Sequence, residues 1–223
     1  AWHQHDTDGT FESCAVVAEG SEDVLYCIVR RTINGSSKRY VERMASRQFV
    51  DAEDAFFVDS GLTYSGPAVT TISGLGHLEG MTVSILADGA VRPQRVVTSG
   101  SIDLDNEGSV VHVGLPITAD LQTLPVAIAI DNGYGQGRFK NVNKAWLRVH
   151  RSSGIFIGPD SDRLTEAKQR TTEPYGSPPA LKSEEIQVML TPSWADSGQV
   201  FVRQSDPLPL TVVSMTAEVA VGG

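Results

Sequence analysis

Thr10–Ala18 (TFESCAVVA), Val24–Ile33 (VLYCIVRRTI), Asn34-Gly35 and Lys38–Met44 (KRYVERM) decide the fold class. The first two segments carry Val, Ile, Tyr and Phe at strand density. Asn-Gly is the strongest short hairpin signal, and Lys38–Met44 reads as a third strand. The three form an antiparallel meander of the size used for a propeller blade or one sheet of a sandwich. Trp2 reads as part of a strand that starts before this stretch of sequence. If Gly20 and Ser21 make a two-residue turn, the register sets Cys14 directly opposite Cys27. Cross-strand neighbours then lie within about 5 Å, so a disulfide is geometrically accessible. Two cysteines are too few for a disulfide scaffold, and a protein assembled in a cytosol is expected to keep the pair reduced and packed.

Outward from the meander, residues 46–66 read as a connector. Asp51, Glu53 and Asp54 precede the apolar trio Phe56, Phe57 and Val58, with room for one short helical turn. This places a domain boundary at about residue 60, giving a meander with its connector over 1–60 and a sandwich- or barrel-like domain over 61–223. In the second part Met81–Ala87 alternates up to the Asp88-Gly89 turn. Val91–Thr98 contains Pro93, which marks an edge strand or a bulge. Ser99-Gly100 turns, Ser101–Asp105 is extended, Asn106–Gly108 turns again, and Ser109–Val113 is a strand. Thr123–Ile130, Asn143–Arg151, Glu185–Thr191, Gln199–Gln204 and Leu210–Val219 complete the strands. Residues 158–180, with Pro174, Pro178 and Pro179, read as a long loop holding one helical turn at Arg163–Gln169. In an assembly, a loop of that length is expected to reach a neighbouring subunit. Strands at this spacing with turns between them predict an all-β sandwich or barrel. No 12-residue window carries a helical apolar period.

With 223 residues, 40% of them hydrophobic, the chain can bury one large core or two small ones. The longest apolar run, near Leu124–Ile130, falls far short of the roughly 18 residues of a membrane span, so no membrane partner is expected. No basic start followed by an apolar block marks a signal peptide. Opening on Ala1 rather than methionine reads as a processed product or an excised piece. The net charge of −9 argues against a protein that grips duplex DNA. It is compatible with passive contact, because an acidic wall lets a strand pass without adhering.

His3, His5, Asp6 and Asp8 crowd the start with residue types that can ligate metals, but Glu12 comes too early to complete a calcium loop, so a polar strand end is expected. Gly133, Gly135 and Gly137 superficially resemble a nucleotide loop. Arg138-Phe139-Lys140 and a strand follow them instead of a helix. His77, His112 and His150 lack a nucleophile-elbow partner. His112 lies between Val111 and Val113 and points to the face opposite theirs. The acids Glu22, Asp88, Asp105, Glu107 and Asp196 fall mostly in turns, which leaves a carboxylate pair made by folding as the only route to a glycosidase. Trp146, Trp194 and Tyr134 read as core aromatics or as a sugar-stacking platform. No catalytic, cofactor or metal residue is expected.

Several segments, in order and across most of the chain, resemble the C-terminal part of the large nozzle or tail-tube-type protein of podovirus-like phages and prophages, also described as a tail or DNA-stabilisation protein. They include Thr7-Asp8-Gly9 with Phe11-Glu12-Ser13, Glu22–Tyr26 leading to Val29–Ile33, and Arg39–Met44. They continue with Phe57–Gly66, Gly74-Leu75 before His77–Gly80, Leu86–Gly89, Val113–Pro116, and Arg203-Gln204 through Pro207–Val212. Glu218-Val219 near Val221–Gly223 resembles a natural C-terminus. Asp131–Gly137 matches least. Cys14 and Cys27 stand where plain hydrophobic residues are expected, so the resemblance implies no disulfide.

The resemblance implies that the first 45 residues are the last blade of a β-propeller. It implies a non-enzymatic structural protein of the virion tail, assembled in the bacterial host cytoplasm. Its partners would be further tail subunits: copies of itself in a ring, usually sixfold, with portal and adaptor above, fibres outside, and DNA passing through during ejection. Two alternatives stay open, a glycan- or receptor-binding β-module and a glycan hydrolase.

Overall fold

The computed structural model describes residues 5–127, 129–130, 133–135, 137–168, 170, 172–174 and 177–222. The chain is all-β. Unit one carries β1 (Thr10–Glu19), β2 (Glu22–Ile33), β3 (Ser36–Arg43), β4 (Asp59–Ser73), β5 (Thr82–Ala87), β6 (Ala90–Val96) and β7 (Ser101–Leu115). Unit two carries β8 (Ala119–Gln122), β9 (Ala129–Ile130), β10 (Gly133–Tyr134), β11 (Lys140–Val149), β12 (Phe156–Gly158), β13 (Thr165–Glu166), β14 (Glu185–Met189), β15 (Phe201–Gln204) and β16 (Val212–Val221). The helical residues among those described are two 3-10 turns, Ala52–Asp54 and Gly76–Leu78, so no helix is long and apolar enough to cross a membrane.

The compact units are Ala1–Ile117 and Thr118–Gly223. The sheet changes at Asp59, within the first unit. The unit boundary lies elsewhere because the meander is tied to the second sheet by buried polar contacts, described below.

In unit one β1-β2-β3 form an antiparallel sheet with Glu19 opposite Glu22, so Gly20-Ser21 is the two-residue turn and Cys14 faces Cys27 as the spacing predicts. Asn34 and Gly35 both have positive φ, and so do the pairs Asp88-Gly89 and Ser99-Gly100. Consecutive positive φ defines the hairpin turn whose twist matches the flanking strands. The second sheet runs β4-β7-β5-β6, with β6 and its Pro93 on the edge. Its apolar side gathers Ile72, Leu75, Leu78, Val83, Ile85, Val111 and Val113 into one core. The opposite side is covered by residues 52–58: Ala55 and Val58 are buried, and the Phe56 ring meets His112 edge-on.

Two sequence expectations change here. Asn106–Gly108 does not reverse the chain; β7 continues through it. Gly108 is buried, and a Cβ there would lie 2.8 Å from Val111 Cγ2. The irregularity appears as register shifts in the β4–β7 pairing, with the extra residues on β4 between Ser65 and Val69 and on β7 between Asp103 and Gly108. The connector also ends sooner than residue 66, because β4 starts at Asp59.

Unit two is a sandwich. β14-β11-β16 and β13-β12-β15-β8 share a core that takes Ala145, Leu147 and Val149 from the first sheet and Ile157, Val200 and Val202 from the second and its flank. Residues 163–168 form no helical turn. The Asp160 carboxylate accepts the Asp162 and Arg163 backbone N–H groups, turning the chain into β13, which pairs with β12. Gln169 lies outside the described residues. Within Thr123–Ile130 the strand is confined to Ala129–Ile130, and the preceding residues bond irregularly, Thr123 N–H to Val200 O and Val126 N–H to Ser197 O.

Candidate functional site

Three places combine polar or aromatic side chains with unusual burial. The first is a buried ion-pair cluster in unit one. The Arg31 side chain is 1% exposed, and its Nη2 lies 2.9 Å from Asp59 Oδ1 while Nε lies 2.6 Å from Glu42 Oε1. The guanidinium also donates to Asp8 O and Thr7 Oγ1. Burial alone would lower the Arg31 pKa, but the Glu42 and Asp59 carboxylates outweigh it and raise the value. Thr7 O–H and Asp8 N–H donate to Asp59 in turn. The segment before β1, the meander and the start of β4 thus meet on one cation. The sequence offers no signal for this cluster, since the groups around Arg31 lie 11 to 28 residues away from it along the chain.

The second place is the upper part of the meander. β1 is exposed along nearly all its length. Phe11 and Val16 share a face with Cys14, Leu25 and Cys27, while Val17, Ile28 and Val41 share the other. Val16 is 65% and Val41 73% exposed. Ion pairs thread between these apolar residues, Glu12 with Arg39 and Arg30 and Glu19 with Arg43, and the Tyr26 hydroxyl donates a hydrogen bond to Glu19. Arg39 holds the Glu12 carboxyl below the usual carboxylate range, and the Tyr26 hydroxyl does the same for Glu19.

The third place is the outward face of the β14-β11-β16 sheet. Ala145 and Leu147 enter the core, so the alternate residues Lys144 and Trp146 point outward. Lys144 stands between Met189 and Glu218, and Trp146 between Gln187 and Thr216. An isolated bridge pairs Lys140 with Ala195 and carries the strand pairing on to Trp194. Ser193 N–H donates to Asn141 Oδ1 at 2.7 Å, and Gly222 N–H donates to Phe139 O at 2.7 Å. Trp194 is 55% and Phe139 61% exposed. Sequence reasoning missed Phe139; the Lys140–Ala195 bridge that puts it beside Trp194 has no local signature. Tyr134 contributes a backbone position in β10, and its side chain lies outside the described residues.

Most of the remaining expected residues have structural partners. Asp6 Oδ1 accepts the Thr7 N–H, and the described residues hold no cluster of metal-ligating side chains; His3 lies outside them. Gly133 pairs with Ile130 in a short hairpin, and β11, not a helix, follows Gly137; Asp131, Asn132 and Gln136 are outside the described residues. Lys140 is buried and donates to Arg138 O and Asp196 O.

His112 lies opposite the buried Val111 and Val113, as alternation predicts. Its Nδ1 is 2.8 Å from Thr63 Oγ1, its Nε2 is 2.8 Å from Glu53 O, and burial lowers its pKa. His77 Nε2 lies 2.9 Å from Ser60 O, and His150 N–H bonds Thr211 O. Asp88 accepts two backbone N–H groups, Asp105 pairs with Arg95, and Glu22 and Glu107 are exposed. The sequence did not single out Asp206, whose pKa is raised by burial and then by the Glu166 charge.

Cys14 and Cys27 are free thiols facing each other, and burial raises the pKa of Cys27. No protein-family model matches this chain, and no curated protein matches it.

Proposed function

We propose that this chain is a structural component of a bacteriophage tail, a nozzle- or tail-tube-type ring subunit that forms part of the DNA ejection conduit and the fibre-attachment platform. The observation that carries the reading is the meander. A three-stranded sheet with exposed apolar residues on both faces, Val16 on one and Val41 on the other, is a surface that gains by burial against a neighbour. Its outer strands β1 and β3 offer backbone edges for the same purpose. The ordered resemblance across most of the chain names the kind of neighbour, namely further tail subunits meeting over large surfaces. The charge of −9 suits a wall past which DNA slides.

Light scattering and negative-stain microscopy of the encoded protein test this, alone and with portal- and adaptor-type tail proteins. Rings that incorporate the protein support the reading. A monomer or trimer that joins no ring overturns it.

A further inference from the structure

We propose that the outward face of the β14-β11-β16 sheet is a binding platform for a neutral polysaccharide, with Trp194 and Phe139 as its stacking surface. The inference goes beyond the tail reading and does not depend on it.

The argument starts from how Trp194 lies. The bridge of Lys140 to Ala195 puts Trp194 on the strand beside the start of β11, while Gly222 continues β16 on the other side of β11. A Cβ on Gly222 would nevertheless sit 3.3 Å from Trp194 Cζ3. Two strand spacings separate the outer strands, roughly 10 Å. The indole can reach Gly222 only by lying across β11, along the sheet surface rather than standing away from it. One ring face is then against backbone, and the 55% exposure belongs to the other. Gly222 keeps the surface flat, because any side chain there would meet Trp194 and, at 3.6 Å, the Phe139 Cβ. Phe139, 61% exposed, extends the aromatic surface beside it.

The same face continues along β11 to Trp146, which is half-buried between Gln187 and Thr216. Trp146 and Asn141 are five residues apart, a separation of roughly 15 Å at strand rise, so the platform is longer than one sugar ring. Between the two aromatic ends lies a polar row in which Asn143 donates to Glu218 and Lys144 pairs with Glu218.

The chemistry of this surface selects its ligand. Aromatic faces accept the C–H face of a sugar ring, and amide, hydroxyl and carboxylate groups between them serve its hydroxyls. The charges cancel across the strands: Lys144 opposes Glu218, and Arg148 opposes Glu185. A face without net charge offers little to a phosphate or a sulfated chain, and so points to an uncharged glycan.

The test is a glycan array probed with the purified chain, followed by titration of the best neutral oligosaccharide against intrinsic tryptophan fluorescence. The expected result is saturable binding to neutral glycans, weakened about ten-fold or more by Trp194→Ala and separately by Phe139→Ala, with unchanged circular dichroism. Both side chains are exposed, so at least one variant is expected to fold. A silent array overturns the proposal. So does binding that survives both substitutions, and so does a preference for anionic glycans. A silent array with a protein partner captured on this face, and released by Trp194→Ala, also overturns it.

Discussion

Arg31 on β2 and Asp59 at the first residue of β4 form a 2.9 Å ion pair that joins the meander to the second sheet of the same unit. Glu42 on β3 takes the other side of the guanidinium. Removing Arg31 leaves two carboxylates facing each other in a partly dry site. Arg31→Met is expected to destabilise unit one by about 3 kcal/mol, the lower end for a broken buried pair, because Asp59 and Glu42 keep some contact with water. Asp59→Asn keeps the Glu42 pair and is expected to cost about half as much. Amide hydrogen exchange in β2 and β4 reads the change where it occurs. Protection equal to the parent in both variants would contradict a latch at this position.

Cys14 and Cys27 face each other across one strand pair. A disulfide oxidant such as oxidised glutathione can join the two sulfur atoms, taking up their two hydrogens and leaving as two molecules of reduced glutathione. The expected product is monomeric, lighter by two hydrogen atoms, and stabilised by about 3 kcal/mol for a loop of this size. Its formation at neutral pH is expected to be slow, because burial raises the Cys27 thiol and thins its thiolate. Intact mass under non-reducing conditions decides the matter. Cross-linked dimers without the intramolecular product would show that the strand geometry resists closure.

Turn chemistry carried most of what the sequence revealed about this fold. Asn34-Gly35, Asp88-Gly89 and Ser99-Gly100 are all two-residue turns with positive φ, and the Gly20-Ser21 turn places Cys14 opposite Cys27. The same vocabulary misled at Asn106–Gly108, where a glycine needed for close packing inside β7 looks like a glycine needed for a reversal. Most of β4 escaped notice because its register slips repeatedly, which erases the alternation that marks a strand. The Trp194 platform was half legible: the tryptophans stood out as candidates, but their shared face depends on a single bridge between residues 140 and 195. The Arg31 cluster was not legible at all, because nothing local distinguishes an arginine that will be buried from the exposed Arg30 beside it.

His112 gives unit one a pH dependence of known sign. Burial lowers the imidazole pKa below its ordinary 6.5 in the folded state, and the ring is neutral between Glu53 O and Thr63. The unfolded chain therefore binds the extra proton first as pH falls. Stability is whole above about 6.5 and declines through the window below it, toward the folded pKa. The carboxylates held low by arginines, Glu12, Asp120 and Asp160 among them, act only below the ordinary carboxylate values of 4.5 and 3.8, so the two windows separate. Urea midpoints measured from about pH 8 to 5 are expected to fall on the acid side in the parent and to fall less in His112→Gln. Parallel curves for the two proteins would remove His112 from the account.

Val16 and Val41 separate folding from assembly. Both are mostly exposed, one on each face of the meander, so lysine at either position leaves the core of unit one untouched. Val16→Lys with Val41→Lys is expected to change the unfolding free energy of the isolated chain by less than about 1 kcal/mol, the span of strand propensity. In a tail ring the same two charges would have to be buried against a neighbour without a partner, a cost of several kcal/mol at each contact. Repeated around a ring, that cost is expected to abolish assembly while the monomer stays folded. Negative-stain images and light scattering of the double variant beside the parent read the outcome. Rings formed equally well by both would mean that subunits meet elsewhere, and that the exposed valines of the meander serve something other than the ring.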